Sequence, residues 1–163
     1  MPIEIGAGDI ANQPDLGAVV NAANAQLMPG GGVAGALHRA AGPKLAEACR
    51  PMAPIQPGEA VITEAFGLPN RWVIHVLGPR YGIDKPADRL LARGYRNALG
   101  LCEKHGVESV GFPALAAGAF GYPINEAARI GIETVQRHAP TALVVRFVLF
   151  DEKTKEAFLA LLR

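Results

Sequence analysis

The amino-acid sequence predicts an α/β fold in which a central sheet lies between two layers of helices. Short runs rich in Val, Ile and Phe alternate along the chain with longer stretches whose apolar residues recur at helical spacing. The run ALVVRFVLF, residues 142–150, is apolar almost throughout, which is typical of a strand covered on both faces. The length of 163 residues, half of them apolar, suits one domain over residues 1–163. We therefore expect a single three-layer α/β/α domain.

The pattern predicts six strands and five helices. Each strand is rich in Val, Ile or Phe and is bounded by Gly, Pro or Asn. The predicted strands are residues 3–5, 16–20, 60–63, 72–77, 107–112 and 143–150. The predicted helices are residues 33–41, 44–49, 88–105, 124–138 and 153–162. The Pro- and Gly-rich segments between them are expected to be surface connections inside one domain.

Charge and cysteine content exclude several classes of function. Sixteen basic and fifteen acidic side chains are spread along the chain, which gives no strong signal for duplex nucleic acid. Cys49 and Cys102 are far apart and lack zinc-ligand spacing, so we expect buried thiols, no metal site and no cofactor. The N-terminus does not resemble a secretory signal, and no apolar run is long enough for a membrane span. The expected location is cytoplasmic, with no membrane partner.

Three glycine-bearing loops follow predicted strands, at residues 6–10, 21–32 and 113–123. In parallel sheets, ligands bind where such loops leave the carboxyl ends of the strands. Glycine lets backbone N–H groups approach a phosphate, and the helix predicted from Val33 adds its positive end. A tight turn would account for one such loop. Two of them opening onto helices favour a phosphate-binding site.

Two common nucleotide motifs do not explain these glycines. Gly30, Gly32 and Gly35 have the spacing of the dinucleotide-binding fingerprint, but nine residues separate them from the preceding strand. A Walker A loop is excluded because Ala36 follows Gly35 where a lysine is required.

Six motifs together resemble a known family. They are VVNAAN, GGGVAGALHRAAGP, GEAVITEAFGLP, VIHVLGP, FPALAAGAFGYP and FVLFD. In this order they resemble the motifs of macrodomains, which are ADP-ribose-binding modules, and the resemblance covers residues 3–158. The chain is most similar to bacterial and MacroD-type members that remove ADP-ribose from acidic side chains or deacetylate O-acetyl-ADP-ribose. The resemblance implies a mixed, mostly parallel central sheet.

The resemblance also implies an ADP-ribose site. Asp9 would accept a hydrogen bond from the adenine amino group, with Ile10 beside the ring. Phe150 would pack against adenine, and Asp151 follows it in the family pattern. The family's two diphosphate and distal-ribose loops correspond here to Gly30, Gly31, Gly32, Val33, Ala117, Gly118, Ala119, Phe120 and Gly121. As alternatives, Asp9 is a turn or helix-capping residue and Phe150 is a core residue.

Two asparagines belong to the same implied site. Asn24 would hold the distal ribose hydroxyls, since an amide both donates and accepts, and Asn21 would brace that loop. The alternative for both is a turn-forming asparagine. His75 lies in a predicted strand and is expected to be a core residue or to support the site indirectly.

The catalytic chemistry has fewer direct indicators in the sequence. Hydrolysis needs a positioned water and an acceptor for its proton. MacroD-type enzymes have an aspartate directly after the G-G-G-V run, where this chain has Ala34, and viral macrodomains often have a histidine where it has Pro29. Asn24 and His38 are the candidate catalytic residues, His38 as a group that orients the distal ribose. A hydrogen-bonded histidine in a packed helix is the alternative for His38.

Two functions follow from these residues. The first is hydrolysis of mono-ADP-ribosyl groups on acidic side chains, or of O-acetyl-ADP-ribose. Its partners would be ADP-ribose and mono-ADP-ribosylated proteins or O-acetyl-ADP-ribose. The second is a non-catalytic ADP-ribose reader. We favour the hydrolase, because a glycine-rich loop and a bound water can supply much of the positioning.

Overall fold

The computed structural model describes residues 2–163 as a sheet of six strands with helices on both faces. The elements, in chain order, are β1 Ile3–Ala7, β2 Ala18–Ala22, α1 Gly32–Ala41, α2 Pro43–Cys49, a 3₁₀ turn Arg50–Met52, β3 Ala60–Glu64, β4 Trp72–Val76, α3 Ala87–Lys104, β5 Ser109–Phe112, α4 Ile124–His138, β6 Val144–Leu149 and α5 Glu152–Leu159. The sequence therefore predicted every strand and every α-helix in the described part of the chain.

The sheet has the strand order β1-β6-β5-β2-β4-β3. Neighbouring strands are parallel throughout, except that β3 runs antiparallel to β4. This confirms the mixed, mostly parallel sheet. In the register of β2 against β4, Asn21 lies opposite His75.

The two faces of the sheet are covered by separate hydrophobic clusters. Side chains alternate between them along each strand, as the pleat requires, so Val20 belongs to one cluster and Val19 to the other. On the side of α3, α4 and α5, aromatic rings stack in series, with 5.1 Å between the ring centres of Tyr95 and Phe112. The other cluster packs under α1 and α2 and includes Leu37. Two apolar layers around one sheet confirm the three-layer architecture.

The predicted boundaries are wrong at two places that concern the site. The second strand begins at Ala18, because Leu16 and Gly17 belong to the preceding connection, and it continues to Ala22. The last strand ends at Leu149, which leaves Phe150 outside the sheet. Over residues 2–163, no helix has both the length and the hydropathy to cross a membrane.

Candidate functional site

Five strand ends meet at one side of the sheet. Because β1, β6, β5, β2 and β4 are parallel neighbours, the loops that follow them leave from the same side, which we call the carboxyl edge. All of the predicted ligand-binding loops leave from this edge. Three strand spacings, about 14 Å, separate β1 from β2. The loops therefore form one elongated surface.

The loop after β2 ends in the N-terminus of α1. Gly31 is the N-cap and offers no side-chain cap, and the described first turn carries no acidic side chain. The N–H groups of Gly32, Val33 and Ala34 therefore have no acceptor inside the helix. The positive end of the helix dipole lies at these N–H groups, and no acidic side chain in the first turn neutralises it. Gly32 has φ +56°, and a Cβ added there would meet nothing within 4 Å, so the surface directly beside Gly32 is open.

The loop after β5 is held by a hydrogen bond within it, by a hydrogen bond from the loop after β4 and by packing on the core. The N–H of Tyr122 donates to the carbonyl of Ala116 at 2.9 Å, and Ala116 itself has a left-handed φ of 67°. The carbonyl of Phe120 accepts a hydrogen bond of 2.8 Å from the N–H of Tyr81. The Phe120 side chain packs against both hydrophobic clusters. The loop is thus fixed without any contribution from a ligand.

The tip of this loop carries unpaired amides. Within residues 2–163, the N–H groups of Gly118, Ala119 and Phe120 donate to no backbone carbonyl. Gly118 and Ala119 are exposed, as is Gly121, which has φ +76°. A second set of backbone donors therefore lies in the loop after β5, the strand beside β2.

Asp9 lies in the turn after β1 and is exposed. One of its carboxylate oxygens accepts a hydrogen bond of 2.9 Å from the N–H of Ala11, so its alternative role in a turn is observed. Its carbonyl accepts a hydrogen bond of 3.0 Å from Gln13, whose side chain is held in turn by Arg146 at 2.8 Å. Ile10 is buried in the cluster under α1. The turn is well anchored, and the contact of Asp9 and Ile10 with adenine stays a prediction.

Phe150 and Asp151 follow β6, next to β1. Phe150 is 93% exposed, so its alternative role as a core residue is wrong. Asp151 is the N-cap of α5 and accepts a hydrogen bond of 2.8 Å from the N–H of Thr154, which lowers the pKa of its carboxyl. One oxygen of Asp151 is thus committed to the helix. Contact of either residue with a ligand stays a prediction.

Asn24 closes a turn within its own loop. Its amide donates to the carbonyl of Met28 at 2.8 Å and accepts from the Met28 N–H at 3.0 Å. The turn-forming role is therefore observed. The amide nitrogen lies 3.5 Å from the position of a Cβ on Gly30, which places Asn24 beside the glycine run. Its contact with a ribose and its part in catalysis stay predictions.

Asn21 does not lie in the loop. It is buried in β2, which extends further than predicted, and its side chain bonds to His75 of β4 rather than to the loop. Neither the loop-bracing contact nor the turn-forming alternative is observed. Its Oδ1 atom is buried and lacks a hydrogen-bond partner among residues 2–163.

A buried polar cluster lies around His75, beneath the α1 side of the carboxyl edge. The Nδ1 atom of His75 is 3.0 Å from the Asn21 amide nitrogen. Its Nε2 atom is 3.0 Å from the Thr63 hydroxyl and 3.5 Å from the Cys49 sulfur. Burial, with a smaller contribution from His38, lowers the pKa of His75 to about 3, and burial raises the pKa of Cys49 to about 11. The ring and the thiol are therefore neutral.

His38 lies on α1, one helical turn after Ala34, and is 6% exposed. Neither ring nitrogen has a hydrogen-bond partner in the described chain, so the alternative of a hydrogen-bonded core histidine is wrong. Burial lowers the pKa of its imidazole. A buried polar atom without a hydrogen-bond partner lowers the free energy of unfolding by about 1–3 kcal/mol. Such atoms are rare in native proteins. The two ring nitrogens of His38 are thus not used in hydrogen bonds within the described chain, and its catalytic role stays a prediction.

Residues 20–131 match the family model described as the Macro domain. The chain belongs to the macrodomain family. A similar protein is the O-acetyl-ADP-ribose deacetylase of Enterobacter cloacae, which is 44% identical, with 98% of this chain and 93% of that protein covered. A macro domain-containing protein of Streptomyces coelicolor is 42% identical, with 94% of each chain covered.

Solved macrodomain structures have the same fold. The Oceanobacillus iheyensis macrodomain with ADP superposes with a TM-score of 0.93 at 39% identity, covering 98% of this chain and 89% of that one. The Trypanosoma brucei macrodomain in complex with ADP-ribose gives a TM-score of 0.89 at 34% identity, covering 99% of this chain and 69% of that one.

Two clefts of this macrodomain lie away from the carboxyl edge. One, of about 250 Å³, lies between α3 and α4 and is lined by Arg89, Arg96 and Arg129 among others. The other, of about 410 Å³, lies beside Trp72 at the opposite edge of the sheet. Neither includes a residue of the glycine-rich loops. Within residues 2–163, no three His, Cys, Asp or Glu side chains are grouped to hold a metal ion.

Sequence reasoning missed the polar cluster of Cys49, Thr63 and His75. These residues are far apart along the chain and meet only because β3 pairs with β4 and α2 packs on β3. Each looked separately like an ordinary core or strand residue. Finding them would have required the register of β3 against β4, which local sequence patterns do not encode.

Proposed function

We propose that this macrodomain binds ADP-ribose along the carboxyl edge. The adenine would lie at the β1 and β6 end, beside the exposed Asp9 and Phe150. The diphosphate would lie over β5 and β2, and the distal ribose would lie toward β4. The observation that carries the proposal is the presence of two sets of unpaired backbone amides in the segments that follow the neighbouring strands β2 and β5, at Gly32–Ala34 and Gly118–Phe120.

The amides supply what a diphosphate requires. Anions bind at helix N-termini because unpaired N–H groups and the dipole both favour negative charge. No side-chain carboxylate competes for the first turn of α1 in the described chain. Similar proteins were solved with ADP and with ADP-ribose, which supports the same ligand here.

We also propose that the macrodomain hydrolyses ester derivatives of ADP-ribose. Both candidate substrates carry an ester on the distal ribose. Water would add its oxygen, one C–O bond of the ester would break, and ADP-ribose and a carboxylic acid would be released. Two similar proteins, from Enterobacter cloacae and Cronobacter sakazakii, are named O-acetyl-ADP-ribose deacetylase, which supports this chemistry.

Each group of the proposed site would have a separate role in the reaction. The backbone amides would hold the diphosphate and so fix the ribose, and Asn24 would bond to its hydroxyls. His38 is buried and neutral, so it would orient the ribose or a water by hydrogen bonding rather than act as an acid. The proton of the attacking water would pass to a diphosphate oxygen, because the first turn of α1 offers no carboxylate.

One observation favours a second function, a non-catalytic ADP-ribose reader. Ala34 is 5% exposed in the first turn of α1, where MacroD-type enzymes have an aspartate. Without a base at this position, binding without turnover is the competing proposal.

One experiment separates the two functions. Wild type, Ala34→Asp and the control Ala40→Asp, which adds the same charge to an exposed position of α1, are incubated with glutamate-linked ADP-ribosylated protein and with O-acetyl-ADP-ribose. Release of ADP-ribose is measured by chromatography. We expect release by wild type, a rate about tenfold or more higher for Ala34→Asp, and the wild-type rate for Ala40→Asp. Binding of ADP-ribose without release by any variant would identify a reader.

A further inference from the structure

Three large apolar side chains are exposed at the β2 and β4 end of the carboxyl edge. Met28, in the loop after β2, is 40% exposed. Tyr81 and Ile83, in the loop after β4, are 45% and 64% exposed. Because β2 and β4 are neighbouring strands, both loops leave the sheet side by side. We call these three residues the distal rim.

The loop after β4 is rigidly folded. Arg80 and Asp84 form a two-pronged ion pair with two N···O distances of 3.0 Å, and the Arg80 N–H also donates to Asp84 at 2.8 Å. The N–H of Tyr81 donates to Phe120, and the Tyr81 ring packs on that of Tyr122 with 4.8 Å between ring centres. Ile83 is therefore held in solvent by a fixed backbone.

Exposed apolar side chains on a fixed loop indicate a contact surface. Scattered exposed apolar residues are ordinary, whereas neighbouring ones mark an interaction site. The charges of Arg80 and Asp84 neutralise each other, so this pair adds no net charge to the loop, and the next charged residue along the chain is the exposed Lys85. Such a surface suits a polypeptide whose acidic residues lie close to Lys85.

We propose that the distal rim docks the polypeptide that carries the ADP-ribosyl group. The proposal rests on the proposed function, because the orientation of ADP-ribose places the distal ribose toward β4. The group esterified to that ribose leaves the site beside Met28, Tyr81 and Ile83. An acetyl group has only two carbons and needs no such surface, whereas a protein chain leaving the site passes directly over it. The distal rim thus determines preference for a protein-linked substrate over a small one.

The test compares two substrates that share one ester bond. The first is a protein mono-ADP-ribosylated on glutamate, and the second is the ADP-ribosyl-glutamate left after complete proteolysis of that protein. The variant is Ile83→Asn. The matched control is Phe66→Asn, which removes an apolar side chain that is 38% exposed after β3, at the opposite edge of the sheet.

We expect Ile83→Asn to lower kcat/KM for the modified protein about three- to tenfold, with kcat/KM for ADP-ribosyl-glutamate and the Kd for ADP-ribose unchanged. Phe66→Asn should change none of the three. If wild type binds without turnover, the same comparison is made with the Kd of the modified protein against the Kd of ADP-ribose.

Three results would overturn the proposal. The first is wild-type behaviour of Ile83→Asn on the modified protein, and the second is an equal loss on both substrates. The third is sedimentation of wild type as a dimer and of Ile83→Asn as a monomer. This result would make the distal rim a contact between copies of this chain. Failure of wild type to bind ADP-ribose is a distinct outcome, because it removes the proposed function and the docking surface with it.

Discussion

The amino edge and the carboxyl edge of the sheet differ in whether the backbone groups of their loops are hydrogen-bonded. At the amino edge, where the strands begin, the connections bond to one another. The Gly17 N–H donates to the Ser109 hydroxyl at 2.9 Å, and the N–H groups of Arg71 and Trp72 both donate to the Gly17 carbonyl, at 3.1 and 3.2 Å. The Asn70 side chain donates to two carbonyls of the loop after β1, both at 2.8 Å.

At the carboxyl edge, the strand ends are bonded but the glycine tips are not. The Ala23 N–H donates to the Val76 carbonyl, so the base of the loop after β2 is fixed. Further along the loop, the helix begins on an uncapped Gly31. One edge therefore contributes to stability through its own hydrogen bonds, whereas the other leaves donors for a ligand. Substitutions at the two edges should separate stability from binding.

The largest effect on binding is expected from Gly35→Ala. A Cβ at Gly35 would collide with the Gly30 carbonyl, so the glycine run would have to move away from α1. We expect the free energy of unfolding to fall by about 1–3 kcal/mol and ADP-ribose affinity to fall about a hundredfold. At the amino edge, a Cβ on Gly17 would lie 3.4 Å from the Ser109 carbonyl, an ordinary contact. Calorimetry should show the wild-type ADP-ribose affinity for Gly17→Ala. The wild-type affinity for Gly35→Ala as well would contradict the difference between the two edges.

Asn24→Ala should affect turnover more than binding. The substitution removes the amide that closes the turn to Met28 and that would orient the ribose. Single-turnover release of ADP-ribose from an auto-modified protein should slow about 10- to 100-fold, with a much smaller change in Kd. Asn70→Ala removes two hydrogen bonds at the amino edge and should lower the thermal midpoint while the folded protein keeps its rate. Unchanged rates for Asn24→Ala would exclude Asn24 from catalysis.

Asp9→Ala should weaken ADP-ribose binding by about 1–3 kcal/mol, as expected for a lost charge-assisted hydrogen bond. Asp9→Asn keeps an oxygen for the Ala11 N–H and so separates the turn from the charge. The control is Asp15→Asn, which weakens the ion pair with Arg146 near the amino edge and should leave affinity unchanged. Equal affinities for wild type and Asp9→Ala in calorimetry would remove Asp9 from the adenine site.

The smallest effect is expected from pH, as a change in the free energy of unfolding for each pH unit. The pKa of His75 is about 3 in the folded protein and about 6.5 when unfolded, so only the unfolded chain takes up this proton between those values. The free energy of unfolding should therefore fall as pH falls below 6.5, with a slope that rises from about 0.7 kcal/mol per pH unit at pH 6.5 toward about 1.4 kcal/mol per pH unit near pH 5. His38, whose pKa is also lowered, adds in the same direction.

Urea titrations across this pH range measure the slope. His75→Gln should flatten this slope, because it removes the buried imidazole. An identical slope for wild type and His75→Gln would show that this ring does not control acid sensitivity.

The sequence predicted the elements well because strand and helix periods are local. It also predicted which loops share the carboxyl edge, because consecutive parallel strands place their carboxyl ends together. The order of the strands and the reversal of β3 depend on pairing between distant segments, which no local pattern encodes. Asn21 shows the consequence, because two further residues of β2 turned a predicted loop contact into a bond with His75.

The site was only partly accessible from sequence. Motif resemblance located the glycine loops, Asp9 and Phe150, and the exposure of Phe150 could not have been read from a strand that is apolar almost throughout. The isolation of the His38 ring was not predictable either, because hydrogen-bond partners of a buried side chain depend on packing from several elements.

The Phe120 side chain packs into the hydrophobic layers on both faces of the sheet. A nucleotide bound to the backbone amides beside Phe120 would therefore link the two hydrophobic layers. Saturating ADP-ribose should then sharpen the melting transition as well as raise its midpoint, because the two halves of the core would come apart together.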